Sequence, residues 1–382
     1  MPQTSNSARR KNPYGLPPSL RSACRIFCSA CGKFCKHCRF LPLALHTLAA
    51  PKIGGGSVIK TKAALFVLYS TRLALSLSTD KAVHTKPTEN YAVMTHNSSI
   101  LSPVCPHMVN VGGRLIDLSE PQVMGIVNLT PDSFHTDSRV QTETEIAERT
   151  LQMQAEGAGM LDVGACSTRP GSHEISTEEE MARLRAGLTV VRREAPDMIL
   201  SVDTYRADVA RMCVEEFGVH IINDISGGQL DARMFRTVAS LRVPYILTHL
   251  QGTPFSQEQE QPECDVLSHV FISLAERINC LRDMGVADII LDPGFGLGKT
   301  HRQNFALMRA LPEFREFGLP LLVGVSRKRM VWQTLCSTPA EALNGTTVLH
   351  TMALMAGAHI LRVHDVAPAM EAVRLVKALR EA

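Results

Sequence analysis

From Met108 to the C-terminus, short apolar runs alternate with longer segments in which apolar residues recur at helical spacing. The apolar runs predict eight strands, over residues 123–127, 160–163, 199–202, 221–222, 245–248, 287–291, 321–325 and 360–363. The segments between them predict eight helices, over residues 144–156, 176–194, 206–217, 232–240, 266–284, 303–315, 340–355 and 368–379. The clearest helix start is STEEE from Ser176, in which a capping hydroxyl precedes acidic residues in the first turn.

Strand and helix alternating eight times predict a parallel sheet, and eight such units close into a (β/α)8 TIM barrel, an α/β fold. The apolar residues within each run are mostly consecutive, as expected for strands that are buried on both faces. Residues 108–382 are long enough for this barrel, which typically takes about 250 residues. In front of it, residues 109–118 predict a short hairpin that turns at Gly112 and Gly113.

Polar residues stand at or next to the ends of the predicted strands. In a parallel barrel the carboxyl ends of the strands face one mouth, and ligands bind there. A single polar residue at a strand end could instead cap the following helix, but the repetition along this chain favours one shared cleft. The residues expected to line the cleft are Asn128, Asp162, Asp203, Asn223, Asp292, Lys328, Arg362 and His364.

The segment LDPGFGLGKT, residues 291–300, ends like a phosphate-binding loop. A nucleotide P-loop requires Gly, four residues, and then Gly-Lys-Ser/Thr. Counting back from Gly298 reaches Pro293, which has no N–H to donate. The segment therefore does not predict a nucleotide loop; it predicts a buried strand that carries Asp292 to its tip, followed by a glycine-rich loop.

The strand ends and the loops after them offer two kinds of chemistry. The acceptors suit a flat ligand edge of N–H and C=O groups, such as an aminopyrimidinone, because each buried acceptor left unmet costs about 1–3 kcal/mol. The donors suit a phosphate or diphosphate. We expect an acceptor half of the mouth with Asp162, Asp203, Asn223 and Asp292, and a donor half with Ser167, Thr168, Arg169, Lys328, Arg362 and His364.

Residues 1–107 differ from the rest of the chain in charge and in pattern. They carry fourteen Lys and Arg against two Asp and Glu, a net charge of +12, whereas the remainder carries −9. They are rich in Pro, Ser and Thr and lack a clear helical or strand pattern. We therefore expect a disordered extension, or a start assigned too far upstream of Met94 or Met108; a transit peptide is the alternative.

Five of the eleven cysteines lie between Cys24 and Cys38, and the other six are scattered. The cluster could bind zinc through Cys31, Cys35, His37 and Cys38, but its spacing leaves no room for the fold of a zinc ribbon. The apolar stretch 63–77 is too short to span a membrane. Scattered cysteines in a large chain indicate reduced thiols. We expect a cytoplasmic protein with no nucleic-acid or membrane partner.

Seven segments, in the same order along the chain, resemble the dihydropteroate synthase family of pterin-binding TIM barrels. They are VMGIVNLTPDSF (123–134), DVGACSTRPG (162–171), SVDT (201–204), IIND (221–224), LDPGFGLGKT (291–300), VGVSRKRM (323–330) and LRVHDV (361–366). The resemblance covers roughly residues 108–380 and excludes the N-terminal extension. It implies a transferase of folate synthesis that joins 6-hydroxymethyl-7,8-dihydropterin diphosphate to 4-aminobenzoate, giving 7,8-dihydropteroate and diphosphate.

The resemblance also implies roles for individual residues. Asp203, Asn223, Asp292 and Lys328 resemble the residues that bind the pterin, and Asp162 would lie deeper in the same pocket. Asn128 resembles the residue that contacts Mg²⁺ and the diphosphate, Arg362 and His364 resemble the diphosphate anchors, and Thr168 and Arg169 belong to the loop at the aminobenzoate site. Arg362, His364 and Lys328 would together form the catalytic set. The family further implies Mg²⁺ as cofactor, a homodimer that uses the 340–355 region, and inhibition by sulfonamides.

The chain departs from the family pattern at several positions. Ala165 and Cys166 stand where many relatives have Gly-Glu, Thr248 stands where a methionine often lines the pterin site, and Leu297 replaces a frequent phenylalanine. The first loop lacks the usual Asp-Gly-Gly, and Asp137 is the candidate to fill its role. Two rivals therefore stay open: a pterin-binding methyltransferase, which would not need the anion site, and a pterin-binding paralogue without activity.

Overall fold

The computed structural model describes residues 107–129, 143–166, 174–252 and 265–382. Apart from His107, the extension predicted over residues 1–107 lies outside the described residues. The strands are β1 Met108–Val111, β2 Arg114–Asp117, β3 Gln122–Asn128, β4 Met160–Gly164, β5 Ile199–Asp203, β6 Ile221–Asp224, β7 Tyr245–Thr248, β8 Ile289–Asp292, β9 Leu322–Val323 and β10 Ile360–Val363.

Strands β3 to β10 form the barrel. Neighbouring strands pair in the order β8-β7-β6-β5-β4-β3-β10-β9, and every pair is parallel. A parallel bridge between Leu291 and Leu321 joins β8 to the residue before β9, and the Leu291 N–H donates to the carbonyl of Pro320 at 2.8 Å. This bridge brings the two ends of the sheet together. The predicted TIM barrel is confirmed.

Helices follow the strands and pack their apolar faces against them. They are α1 Glu143–Ala155, α2 Thr177–Glu194, α3 Ala207–Phe217, α4 Met234–Leu241, α5 Val266–Asp283, α6 His301–Arg309, α7 Arg329–Thr334, α8 Leu343–Met355 and α9 Val366–Glu381. The start predicted for α2 is confirmed, because the Ser176 hydroxyl accepts the Glu179 N–H at 3.1 Å. The main core lies between the outer faces of the strands and these helices.

The structure differs from the predicted elements after β8. The single helix predicted over 303–315 is instead α6 followed by a 3-10 helix, Leu311–Phe317. Pro312 explains the break, because it has no N–H for the α-helical ladder. The predicted strand 321–325 is shorter, since the chain turns at Arg327, whose φ is +52°. Helix α7, six residues long, was not predicted.

The predicted hairpin is confirmed, with β1 paired antiparallel to β2. Its buried residues Val109 and Val111, together with Leu118, pack against the first inward-facing residues of the barrel strands. Those strand residues are Met124, Met160, Ile199, Ile221, Ile246, Ile290, Leu322 and Ile360. The hairpin therefore closes the amino end of the barrel with an apolar layer and leaves the carboxyl end as the mouth. No helix in the described ranges is both long and apolar enough to cross a membrane.

Candidate active site

At the centre of the mouth, an arginine bridges two carboxylates. The Arg362 guanidinium donates from Nε to Asp162 Oδ2 and from Nη2 to Asp203 Oδ2, both at 2.6 Å. Asn223 Nδ2 donates to the same Asp162 oxygen at 2.8 Å. Asp162 is fully buried, and its Oδ1 has no hydrogen-bond partner among the described residues. These four predicted site residues form one connected network.

Strand pairing explains why these residues meet. Asp203 on β5 pairs directly with Asn223 on β6, and Asp162 on β4 pairs with Ser201, two residues before Asp203. Residues two apart on a strand point to the same face. Asp162 and Asp203 therefore both face the barrel interior, one layer apart. Arg362 reaches them from β10, which is two strands from β4 and three strands from β5 around the barrel.

The electrostatics of this network follow from burial. Burial raises the pKa of Asp203 to about 7, although the adjacent Arg362 opposes the rise. The pKa of Arg362 is raised, because its attraction to Asp162 and Asp203 outweighs the cost of burial. Its guanidinium therefore stays charged at any relevant pH. The side chain of Asp203 is 21% exposed toward the mouth, so solvent moderates its shift.

Asp292 and Lys328 form the second half of the site. Asp292 is buried and accepts the Gly294 N–H at 2.7 Å. Lys328 donates from Nζ to the carbonyl of Phe295, three residues beyond Asp292. Burial raises the pKa of Asp292, and the nearby Lys328 opposes this rise. Burial also lowers the pKa of Lys328 to about 8, against the attraction of Asp292. Each of the two opposite charges favours the ionised form of the other.

Two further predicted residues lie at the ends of their strands. His364 bonds to Ser326 twice, since its N–H donates to Ser326 Oγ at 3.1 Å and its Nδ1 lies 3.0 Å from the same oxygen. Arg149 on α1 donates to the His364 carbonyl. Asn128 is half-buried at the end of β3. Thr168 and Arg169 fall outside the described residues.

The predicted division of the mouth into an acceptor half and a donor half is wrong for Arg362, which lies among the acceptors. Arg327, next to Lys328 in the sequence, binds groups of the protein itself. Its Nε and Nη2 bind both Asp365 oxygens at 2.8 and 2.9 Å, and its Nη1 donates to the carbonyls of Pro339 and Ala340. Its side chain is 7% exposed. Arg327 therefore holds the loops after β9 and β10 together.

Sequence reasoning also missed Lys299 and Arg149. Lys299 follows a glycine, and this sequence pattern is the same whether the lysine faces a phosphate or backbone carbonyls. Arg149 lies over two hundred positions from His364 in the sequence. Tertiary contact alone reveals both. The rejection of a nucleotide loop agrees with the structure, because Lys299 is fully buried and Thr300 caps α6 with Gln303.

The departures from the family pattern have ordinary packing environments. Ala165 and Thr248 are buried, and Leu297 is half-buried in the loop after β8. Burial raises the pKa of the Cys166 thiol, with Glu180 adding to the rise. A raised pKa lowers the thiolate fraction, which is the reactive form. This agrees with Cys166 as a small packing residue rather than a reactive thiol.

The sequence model of the pterin-binding enzyme family matches residues 124–364 of this chain. Dihydropteroate synthase of Escherichia coli K12 is 40% identical over 272 residues, which is 70% of this chain and 94% of that protein. The corresponding Synechocystis enzyme is 35% identical over 283 residues, 73% of this chain and 97% of its own. The solved Yersinia pestis dihydropteroate synthase superposes with a TM-score of 0.68 at 38% identity, and the match covers 72% of this chain and all of that one. The chain belongs to the dihydropteroate synthase family of pterin-binding enzymes.

Proposed function

We propose how this site performs the reaction of its family. The chain is a transferase that condenses 6-hydroxymethyl-7,8-dihydropterin diphosphate with 4-aminobenzoate, giving 7,8-dihydropteroate and diphosphate. The observation that carries the assignment of residues is the network of Asp162, Asp203, Asn223 and Arg362 in the mouth. It supplies acceptors for a pterin edge and a permanent cation for the leaving diphosphate in one place.

The pterin ring would bind on Asp203, Asn223, Asp292 and Lys328. Oδ1 of Asp162, beneath them, accepts no hydrogen bond from the described residues. A buried acceptor left unmet costs about 1–3 kcal/mol. A ligand whose 2-amino and ring N–H groups donate to these oxygens removes that cost, which favours a pterin over a ligand that only accepts.

The leaving diphosphate would be held by Arg362, His364 and Lys328, the catalytic set. Arg362 uses Nε and Nη2 on the two carboxylates, and Nη1 makes no hydrogen bond within the described part of the chain. It therefore keeps a donor for a diphosphate oxygen while the carboxylates fix its plane. The developing negative charge meets a fixed cation, which stabilises the transition state for departure.

Asn128 would contact Mg²⁺ bound to the diphosphate. No group of three His, Cys, Asp or Glu in the described ranges could hold a metal by itself. Mg²⁺ commonly takes one or two protein oxygens and completes its shell with substrate phosphates and water, so one amide oxygen at the mouth fits. Bound there, Mg²⁺ would neutralise charge on the leaving diphosphate.

The 4-aminobenzoate would enter beside Ser326 and Lys328, and the family resemblance assigns Thr168 and Arg169 to the same site. An aromatic amine is already nucleophilic at neutral pH, so the amine needs no general base to activate it. Synthases from Xanthomonas albilineans have been solved with 4-aminobenzoic acid and with 7,8-dihydropteroate, and the Yersinia pestis enzyme with a sulfonamide drug. We infer that sulfonamides compete with 4-aminobenzoate here too.

The test is a coupled assay of diphosphate release with both substrates. The full chain should turn over, and Arg362→Ala and Lys328→Ala should each lower kcat/KM at least a hundredfold. Lys377→Ala is the matched control, because Lys377 is an exposed cation paired with Glu120. Chelation of Mg²⁺ should lower the rate as well. Pterin binding without turnover would instead identify an inactive paralogue, and methyl transfer from a methylated folate would identify the methyltransferase.

A homodimer would use α8 and α9. Val348 and Met352 lie one turn apart on α8, as Leu375 and Leu379 do on α9, and all four are about half exposed or more. The two helices pack against each other, so these side chains can form one apolar surface. A second copy would cover it. Leu375→Lys should shift the chain from dimer to monomer in light scattering, whereas Leu151→Lys, on α1, should not.

A cytoplasmic location is supported by the thiols of Cys213, Cys280 and Cys336, which form no disulfide. A relative from Pisum sativum is a mitochondrial protein, which keeps the transit peptide open for residues 1–107. Mass spectrometry of the mature N-terminus decides between these alternatives. A start near residue 94 or 108 without upstream peptides indicates a misassigned start, and upstream peptides in a precursor alone indicate a transit peptide.

A further inference from the structure

Lys299 is a fully buried lysine that no proposed step uses. Its Nζ donates to three backbone carbonyls, those of Gly294 at 2.7 Å, His249 at 2.9 Å and Leu297 at 3.3 Å. An ammonium group has three N–H donors and no acceptor. The three carbonyls therefore saturate Lys299 and leave it no free donor for a substrate.

These carbonyls belong to two loops at the mouth. Gly294 and Leu297 lie in the glycine-rich loop after β8, residues 293–298, and His249 follows β7. The two backbones approach closely: a Cβ on Gly294 would lie 2.0 Å from the His249 oxygen, and one on Gly298 would lie 1.7 Å from the Gln251 oxygen. All three glycines of this loop have positive φ, which is +71° at Gly294, +74° at Gly296 and +66° at Gly298. Lys299 thus clamps two backbones that the glycines allow to meet.

Lys328, the lysine proposed to bind the pterin, contacts the opposite side of the same loop. Lys328 donates to the carbonyl of Phe295, and its Cδ lies 3.3 Å from where a Cβ on Gly296 would be. Asp292, immediately before the loop, accepts the Gly294 N–H. The loop therefore lies between two lysines, one that fixes it to β7 and one that it fixes in the pterin site.

Charge couples Lys299 to the same carboxylate. Burial lowers the pKa of Lys299 to about 7, and attraction to Asp292 opposes that fall. Lys328, Arg362 and Lys299 all lower the pKa of Asp292 against the effect of its burial. A charged Lys299 thus helps to keep Asp292 ionised for the pterin.

We propose that Lys299 is a positioning residue of the synthase: it clamps the 293–298 loop to the end of β7, so that Asp292 and the Phe295 carbonyl hold Lys328 in place for the pterin. This rests on the proposed roles of Asp292 and Lys328. It does not require Lys299 to touch the substrate.

The test compares Lys299→Met with Thr300→Ala in the full chain. Met keeps an unbranched side chain, one heavy atom shorter, and removes all three donors. Thr300→Ala removes the adjacent helix cap, and so destabilises the same region without touching the clamp. In protein that is folded by circular dichroism, Lys299→Met should lower kcat/KM for pterin diphosphate about ten- to a hundredfold. Thr300→Ala should lower the melting temperature by a few degrees and leave kcat/KM within about twofold.

Titration of pterin diphosphate binding separates positioning from stability. Without the Lys299 charge the pKa of Asp292 rises, so Lys299→Met should lose affinity at a higher pH than the wild type when the solution is acidified. An unchanged binding profile with only a lower melting temperature would overturn the proposal. Lys299→Gln, which retains two donors, serves if the methionine variant does not fold; failure of both to fold would also overturn it. Wild-type turnover is measured first, because its absence refutes the proposed function instead.

Discussion

The two ends of the barrel interior are built from the same strands, and on half of these strands the inward-facing residues change from apolar to charged or amide within one step along the face. On β4, β6, β8 and β10 the first inward-facing residue is Met or Ile and the inward residue two positions later is Asp, Asn or Arg. The pairs are Met160 and Asp162, Ile221 and Asn223, Ile290 and Asp292, and Ile360 and Arg362. Since side chains two apart share a face, one strand places an apolar layer at the closed end and a polar layer at the mouth.

The two layers of the barrel interior therefore have different roles. The closed end is sealed by the hairpin and is held by apolar burial, which is favourable without any ligand. The mouth buries several carboxylates close to one another and to cations, and each of these charges shifts the pKa of its neighbours. Packing at the closed end should therefore affect stability without affecting activity, whereas charge at the mouth should affect both.

The largest effect is expected for Asp162→Asn at the mouth. The amide would point an N–H toward Arg362, and the guanidinium would lose one of its two carboxylate partners. Because the arginine is mostly buried, we expect at least a hundredfold loss of kcat/KM and roughly 2–4 kcal/mol of unfolding free energy. Steady-state kinetics and urea unfolding measure both.

Asp288→Asn is the matched control at the closed end, where Asp288 Oδ1 accepts the exposed Asn110 N–H at 3.2 Å. The same loss of charge should change stability by less than about 1 kcal/mol and leave kcat/KM unchanged. Equal kinetic losses in the two variants would contradict the division between the ends.

A loss of stability without a loss of activity is expected for Leu118→Ala. Leu118 is 1% exposed in the apolar layer that closes the barrel. Its truncation leaves a cavity and should cost about 2–5 kcal/mol. Below the lowered melting temperature, kcat/KM should stay within about twofold of wild type. Leu115→Ala, on the exposed face of the hairpin at 61% exposure, should cost less than about 0.5 kcal/mol. A tenfold fall in kcat/KM for Leu118→Ala would show that the closed end shapes the mouth.

The sequence predicted the barrel and the strand ends because both depend on local signals. Apolar runs followed by Asp203, Asn223 or Asp292 are visible along the chain, and the topology of a parallel barrel then brings them together. The resemblance supplied the roles that spacing cannot give. The strand bounds agreed within two residues, and the shortest predicted strand, 221–222, extends to Asp224.

What the sequence did not predict depends on contacts between distant residues. Arg362 was expected with the anion donors, but its guanidinium reaches Asp203 on β5, three strands away from β10 around the barrel. Lys299 and Arg327 bear the charges of anion-binding residues and instead hold backbone carbonyls or a carboxylate. A contact between residues far apart in the sequence leaves no local sequence pattern. These roles are therefore visible only in the folded structure.

The two ends should also respond to pH with opposite sign. Burial raises the pKa of Asp203 to about 7, above its ordinary value near 4. Its contribution to the unfolding free energy is therefore full below about pH 4 and is lost as the pH rises through about 7. This loss of unfolding free energy with rising pH should be on the order of 2 kcal/mol, because the group is in contact with solvent. It should disappear in Asp203→Asn when urea unfolding is measured between pH 5 and 8. Asp208→Asn, at an exposed ion pair with Arg233, should keep the wild-type slope.

The smallest effect is expected at the closed end, where His220 Nδ1 accepts the Leu200 N–H at 3.0 Å. Burial, aided by the charge of Arg192, lowers the pKa of His220. A histidine with a lowered pKa stabilises the fold above its unfolded value of about 6.5, and this stability is lost as the pH falls through the folded value. His220→Asn should reduce the loss on acidification from pH 7.5 to 5 by less than about 1 kcal/mol, because solvent reaches the ring. His301→Asn, whose ring bonds to Thr334 at the other end, should leave that loss unchanged. If His301→Asn reduced the loss more than His220→Asn, the acid sensitivity would belong to the mouth rather than to the closed end.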